Sequence, residues 1–255
     1  MTIPTSFGFD DETLSTRPTV YQPGLFDGKV VMVSGAGSGI GKAIAFLYAR
    51  LGAKLVICGR DTEKLETCAQ WLRQLGSPDV MVQQANIRDP EQVELLIDVA
   101  WVHFGRIDIL VNNAGGQFPQ KALDYSVKGW KAVIDTNLNG TWYMMHALAK
   151  RWRDTDTQGN IVNIVATFQR GMPGVAHTCA ARAGVTTAAW PSSLKRSTAL
   201  RSCMASSASR YRRRRAPGSI SSSATDCTPM TPCSSSRKAG RSVAVRAGAS
   251  KKMCG

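Results

Sequence analysis

The stretch Val30-Val31-Met32-Val33-Ser34-Gly35-Ala36-Gly37-Ser38-Gly39-Ile40-Gly41 decides the reading of this 255-residue chain. Its first four residues form an unbroken apolar run, the pattern of a short strand buried on both faces of a parallel sheet. The run passes directly into glycines. Gly35 lets the chain turn sharply out of the strand, Gly39 admits a pyrophosphate close to the backbone, and Gly41 lets the following helix pack tightly on the strand. The amides opening that helix then face the phosphates, and the Ser38 hydroxyl adds a donor. A glycine triplet is weak evidence by itself, but a strand before it and a helix after it supply the required context. Ser34, Gly35, Ser38, Gly39, Ile40 and Gly41 are therefore candidate cofactor-binding residues.

Outward from this turn, strand and helix patterns alternate. A helix is expected from Lys42 to Leu51, with Ile44, Leu47, Tyr48 and Leu51 on its apolar face and Gly52 as its stop. Strands are expected at Leu55–Cys58, Val80–Gln83, Ile107–Val111 and Asn160–Val165, with helices at Thr62–Leu75, Pro90–Phe104 and Lys128–Trp152. This order implies an α/β fold with a doubly wound parallel sheet, Rossmann-like in form. Residues before 25 read as a loose N-terminal arm.

The chain carries 32 basic and 18 acidic side chains, a formal charge of +14. That excess would suggest a nucleic acid or an anionic membrane as partner. Divided by position, it does not. Residues 1–185 hold 18 basic and 17 acidic side chains, whereas residues 186–255 hold 14 basic and one acidic, Asp226. The last 70 residues also contain 16 Ser and only five residues drawn from Leu, Ile, Val and Phe. A segment so poor in apolar side chains cannot offset its own ordering entropy.

No run approaches the roughly 18 consecutive apolar residues of a membrane span. The polar start, with Asp10, Asp11 and Glu12, is unlike a secretory signal. The seven Cys show neither metal-ligand spacing nor paired frameworks, so no metal site is expected and the thiols read as free in a reducing, intracellular setting. Cytoplasm, mitochondrion and peroxisome are not distinguished.

The second strand ends at Cys58-Gly59-Arg60-Asp61. An acid at such a strand tip would bind the ribose 2′-hydroxyl of NAD, whereas an Arg suits the 2′-phosphate of NADP. Arg60 favours NADP, with Lys64 as a second cation. The alternative is a solvated Arg60, with Asp61 capping the next helix.

Three motifs in this order resemble the short-chain dehydrogenase/reductase family over about residues 25–185. Ser34 to Gly41 is similar to its TGxxxGxG turn, with Ser in place of Thr. Asn112-Asn113-Ala114-Gly115 matches its NNAG, which adds Asn113, Ala114 and Gly115 to the cofactor residues. Asn137, within Asp135-Thr136-Asn137-Leu138-Asn139-Gly140, falls where the family keeps a catalytic Asn. The nearest branch by resemblance is that of trans-2-enoyl-CoA and 2,4-dienoyl-CoA reductases. Gly115-Gly116-Gln117-Phe118 is similar to its GGQF, and His177 to Val185 resembles its HSGAARAGV. The resemblance implies hydride transfer from NADPH to the enoyl group of a fatty acyl-CoA, with Gln117 and Phe118 beside the thioester and chain. A loop polar group and a core aromatic are the plainer readings of these two.

The family's proton donor is usually a Tyr, assisted by a Lys four residues on and oriented by an upstream Ser. At those positions this chain has Thr178 and Arg182, with Val165 and Ala166 near the Ser position. In the enoyl-CoA reductase branch the Tyr and Lys follow the AGV, where this chain has Thr186 and Trp190, and Pro191 would stop the helix that carries the Lys. The departure coincides with the break in composition. A loss of the family's reading frame near residue 185 accounts for both, since frameshifted GC-rich DNA encodes Arg-, Ser- and Ala-rich sequence.

On that account the sheet is incomplete on its C-terminal side, and much of the surface by which family members usually form homo-oligomers is missing. A truncated or pseudoenzyme form that keeps part of the cofactor site is the alternative function. A polyanion-binding protein acting through Tyr211-Arg212-Arg213-Arg214-Arg215 is a third, but the tail lacks the spacing of a specific nucleic-acid reader.

Overall fold

The structure is a computed structural model and describes residues 8–166 and 171–187. Among the described residues five strands, β1 (Val30–Ser34), β2 (Lys54–Gly59), β3 (Val80–Gln84), β4 (Ile109–Asn112) and β5 (Asn160–Asn163), form one sheet in the order β3-β2-β1-β4-β5. Every pairing is parallel. Because β2 and β4 lie on opposite sides of β1, the chain changes direction there, and a crevice opens at the carboxyl ends of the strands.

Alternation along the strands supplies two cores. Val31 and Val33, with Leu55 and Ile57, face α2 (Gly39–Arg50) and α3 (Thr62–Gln74), meeting Ala45, Phe46, Leu65 and Leu72. Met32, Val56 and Leu110 face the other way, onto Leu96 and Ile97 of α4 (Pro90–Phe104) and Met144, Leu148 and Trp152 of α6 (Thr141–Asp154). Trp152 also donates its indole N–H to Ile107 O at 2.7 Å, so its polar end is satisfied within the core. Local signals explain the helix limits. Asp61 caps α3, while Asp89 caps α4 just before Pro90, and Gly105 ends α4 in the left-handed region.

Several expectations are corrected. α2 starts at Gly39, and Ala45, Phe46 and Ala49 form its sheet-facing side, with Leu51 buried just beyond it; Ile44, Leu47 and Tyr48 are only half-buried. The helix has apolar residues on two sides because the N-terminal segment covers the second. Phe26 meets Tyr48 edge-on at 4.9 Å between centroids. The expected loose arm also contains a short helix, α1 (Asp11–Thr16), joined to α2 by the Lys42–Asp11 ion pair and by Arg50 donating to Leu14 O at 3.2 Å.

The single helix expected from Lys128 to Trp152 is three segments. α5 (Val127–Ile134) passes into a wider π-helical stretch, Asp135–Gly140, before α6. A further helix, α7 (Ala176–Thr187), continues past Val185. Among the described residues β5 is the outermost strand on its side, with Val162 36 % exposed. Trp190, Pro191 and the Arg212–Arg215 run lie outside the described residues.

Candidate active site

The glycine turn sits at the mouth of the crevice. Gly35 has φ +68°, and a Cβ there would come within 2.9 Å of Ala114 Cα. At Gly41 a Cβ would run into Gly35 O and the Asn113 amide, so this position takes no side chain while α2 keeps its place. The turn is tied to the loop after β4 by several hydrogen bonds. Ser34 Oγ accepts from the amides of Asn113 and Ala114, both at 3.1 Å, and Asn113 Nδ2 donates to Ser34 O at 3.1 Å and Gly35 O at 3.2 Å. Ser34 and Asn113 thus shape the cradle.

Ser38, in extended conformation before α2, makes no side-chain capping bond, and the first amides of α2 are open toward the crevice. Gly39 has φ +55° with open space around it, so its need for glycine is conformational. Ile40 is exposed and lines the crevice.

A cavity of about 770 Å³ runs along the crevice. Its wall includes Gly35, Ser38 and Ile40 at the turn, Arg60 at the end of β2, and Ala114, Gly115 and Gln117 after β4. Among the described residues Arg60 makes no ion pair, whereas Lys64 pairs with Asp61 at 2.9 Å. That contact holds the Asp61 carboxyl below its ordinary range and raises Lys64 above its own. Asp61 also accepts from the Lys64 amide at 3.2 Å, the helix-capping role considered for it.

The inner end is built on Asn137, which lies in the π-helical stretch and is 1 % exposed. The wider turn carries its side chain to the loop after β4. Gly116 N donates to Asn137 Oδ1 at 2.9 Å, and Asn137 Nδ2 donates to Gly116 O at 2.9 Å and to Thr178 Oγ1 at 2.7 Å. Thr178 and Arg182, four residues apart on α7, share the face that lines the cavity. By resemblance these two stand at the family's Tyr and Lys positions, and the sequence gives them no role there. Their i, i+4 spacing beside Asn137 was the signal for a common face, but nothing in the sequence showed that Arg182 is buried.

Gln117 borders the cavity, together with Val165 and Ala166. Phe118 instead packs in an aromatic cluster, 4.7 Å from the His177 ring and 5.8 Å from Tyr125 between centroids. Among the described cavity-lining residues there is no Tyr, and Lys64, the one Lys, stands at the opposite end beside Arg60.

A short-chain dehydrogenase profile matches residues 29–196 of this chain. The chain belongs to that family. Relatives of the same kind include a probable 2,4-dienoyl-CoA reductase [(2E)-enoyl-CoA-producing] of Bacillus subtilis, 40 % identical over 158 residues, which are 62 % of each protein. An uncharacterized oxidoreductase of Staphylococcus aureus is 39 % identical over 138 residues, 54 % of this chain and 58 % of its own length. The chain thus spans about three fifths of the curated relatives it matches.

Among solved structures, a citronellol catabolism dehydrogenase of Pseudomonas aeruginosa superposes with TM-score 0.60 at 39 % identity, covering 66 % of this chain and 68 % of that one. A short-chain dehydrogenase of Bacillus anthracis gives 0.59 at 42 %, covering 62 % and 66 %. Short-chain dehydrogenases bind a nicotinamide dinucleotide, NAD or NADP. The uncapped amides opening α2, beside the open space at Gly39, fit the phosphate-bearing part of such a molecule.

Proposed function

We propose that the chain is an NADP(H)-dependent oxidoreductase that reduces the enoyl group of a fatty acyl-CoA. The observation that carries this reading is the layout of the cavity. It extends from Arg60 past the glycine turn to the Asn137–Thr178–Arg182 cluster, a path suited to an extended dinucleotide with an electrophilic substrate at its inner end. Likeness to the Bacillus subtilis protein supports an acyl-CoA rather than a free alcohol as substrate.

Each end of the cavity has a task. Arg60 would pair with a 2′-phosphate, and the α2 amides with the pyrophosphate. Asn113, Ala114 and Gly115 would form the floor beneath the nicotinamide, and Asn137 would hold Gly116 and Thr178 in register. Gln117 would border the thioester, while Phe118 would act through the cluster that shapes the loop. When bound, the reduced dinucleotide supplies hydride. A proton must also reach carbon, and no phenol lines the inner end among the described residues.

That same lack of a Tyr favours a second reading, a cofactor-binding form without turnover. Oxidation of NADPH by the full chain, with crotonyl-CoA and with longer enoyl- and dienoyl-CoA thioesters, separates the two. Thioester-dependent consumption of NADPH supports the reductase. Binding of NADPH with no consumption by any thioester supports the second reading and contradicts the first.

A further inference from the structure

We infer that Arg182 and Thr178 form an oxyanion-binding pair at the inner end of the cavity, holding the thioester oxygen of an acyl-CoA when that oxygen takes on negative charge. The assignment rests on the acyl-CoA reading above. Arg182 is only 8 % exposed, and its Nη1 has no hydrogen-bond partner among the described residues. No carboxylate among the described residues pairs with it. Its Nη2 occupies the space a Cβ would need at Gly115, so the guanidinium lies against the loop that floors the cavity, close to Asn137.

A guanidinium stays charged even where burial draws it below the ordinary arginine range, as it does here. A buried, unpaired cation is costly unless an anion meets it. Thr178 supplies the second donor. Its Oγ1 accepts the Asn137 amide at 2.7 Å, which leaves its own O–H free to donate.

The chemistry of enoyl reduction places an anion where these donors are. When the β carbon accepts hydride, the double-bond pair moves between the α carbon and the carbonyl carbon, and the carbonyl pair moves onto oxygen. The enolate then takes a proton from water at the α carbon, and the saturated thioester results. Full negative charge on oxygen exists only between these events, so a fixed cation there favours the reacting state over the substrate.

Acetoacetyl-CoA tests the pair without any redox step, because its enolate has an ultraviolet band that the keto form lacks. Bound to the full chain, it is expected to show this band about one pH unit or more below the free thioester, the scale of a charge-assisted hydrogen bond. Arg182→Met is expected to bind the thioester and lose the displacement, while Arg182→Lys retains part of it. The wild-type titration needs no variant, so the test holds even if a variant fails to fold. An enolate midpoint unchanged on binding to the wild-type chain, or displaced equally in Arg182→Met, overturns the assignment and leaves the acyl-CoA reading standing. No binding of acetoacetyl-CoA to the wild-type chain overturns that reading and the pair with it.

Discussion

Asn137 Nδ2 lies 2.7 Å from Thr178 Oγ1, joining the π-helical stretch before α6 to the first turn of α7. Asn137 is buried and spends its other contacts on the two backbone groups of Gly116. One side chain therefore connects three segments that meet at the inner end of the cavity. Asn137→Ala is expected to destabilise the chain by about 1–3 kcal/mol, since it removes three hydrogen bonds, one of them the buried bond to Thr178. Thr178→Val should cost about 1–2 kcal/mol, and the double variant less than the sum of the two. Urea unfolding of the four proteins checks this. A loss below about 0.5 kcal/mol for Asn137→Ala would show that the connection contributes little.

Gly41 and Gly39 offer a comparison within a single turn. A Cβ at Gly41 meets Gly35 O and the Asn113 amide, whereas one at Gly39 meets open space but must adopt φ +55°. Gly41→Ala is expected to destabilise by about 1–3 kcal/mol through displaced backbone, and to abolish dinucleotide binding. Gly39→Ala should cost about 1 kcal/mol, with binding weakened rather than lost. Thermal unfolding and nucleotide titration together test the order, and equal effects would contradict the packing role assigned to Gly41.

Alkaline stability is governed in part by two thiols. Burial pushes Cys58 and Cys68 from 9.0 up to about 12. Folded-state values raised above unfolded ones mean that their contribution is complete below about pH 9 and is lost as pH rises toward 12. Between those limits the unfolded chain releases a proton that the folded chain keeps, a loss of about 1.4 kcal/mol per pH unit for each thiol. Unfolding midpoints measured from pH 8 to 11 should therefore fall, and Cys58→Ala with Cys68→Ala should flatten the decline. An unchanged slope in that double variant would assign the alkaline loss to other groups.

Much of this architecture was legible in the sequence because its signals are local. The Val30–Val33 run, the glycines at 35 and 41, and Asp89-Pro90 each impose one backbone geometry, and β1, the turn and α4 follow from them. The widening at Asp135–Gly140 was not legible, since a stretch of six residues is too short to show an apolar period of its own inside a longer helical pattern. The second apolar side of α2 was misread because its cover, Phe26 and α1, is distant in sequence. The burial of Arg182 was not legible for a different reason: an arginine code is the same whether the guanidinium is solvated or buried.

The reading frame gives a separate prediction. The family match ends at residue 196, and the charge and serine excess begin near residue 186. If the frame is lost there, the coding DNA read in a neighbouring frame should continue after Val185 with a Tyr and a Lys four residues apart, then an apolar strand. The absence of such a continuation in both alternative frames would refute the frameshift and make residues 186–255 a feature of the protein itself.

The most direct test of the account is the fluorescence of bound reduced nicotinamide, titrated with NADPH and NADH on the full chain and on Arg60→Ala. An arginine at the end of β2 with no ion pair among the described residues predicts NADPH binding about tenfold or more tighter than NADH, with the difference lost in Arg60→Ala while NADH binding stays as it was. Equal affinities for the two dinucleotides, or a preference for NADPH that survives in Arg60→Ala, would contradict it.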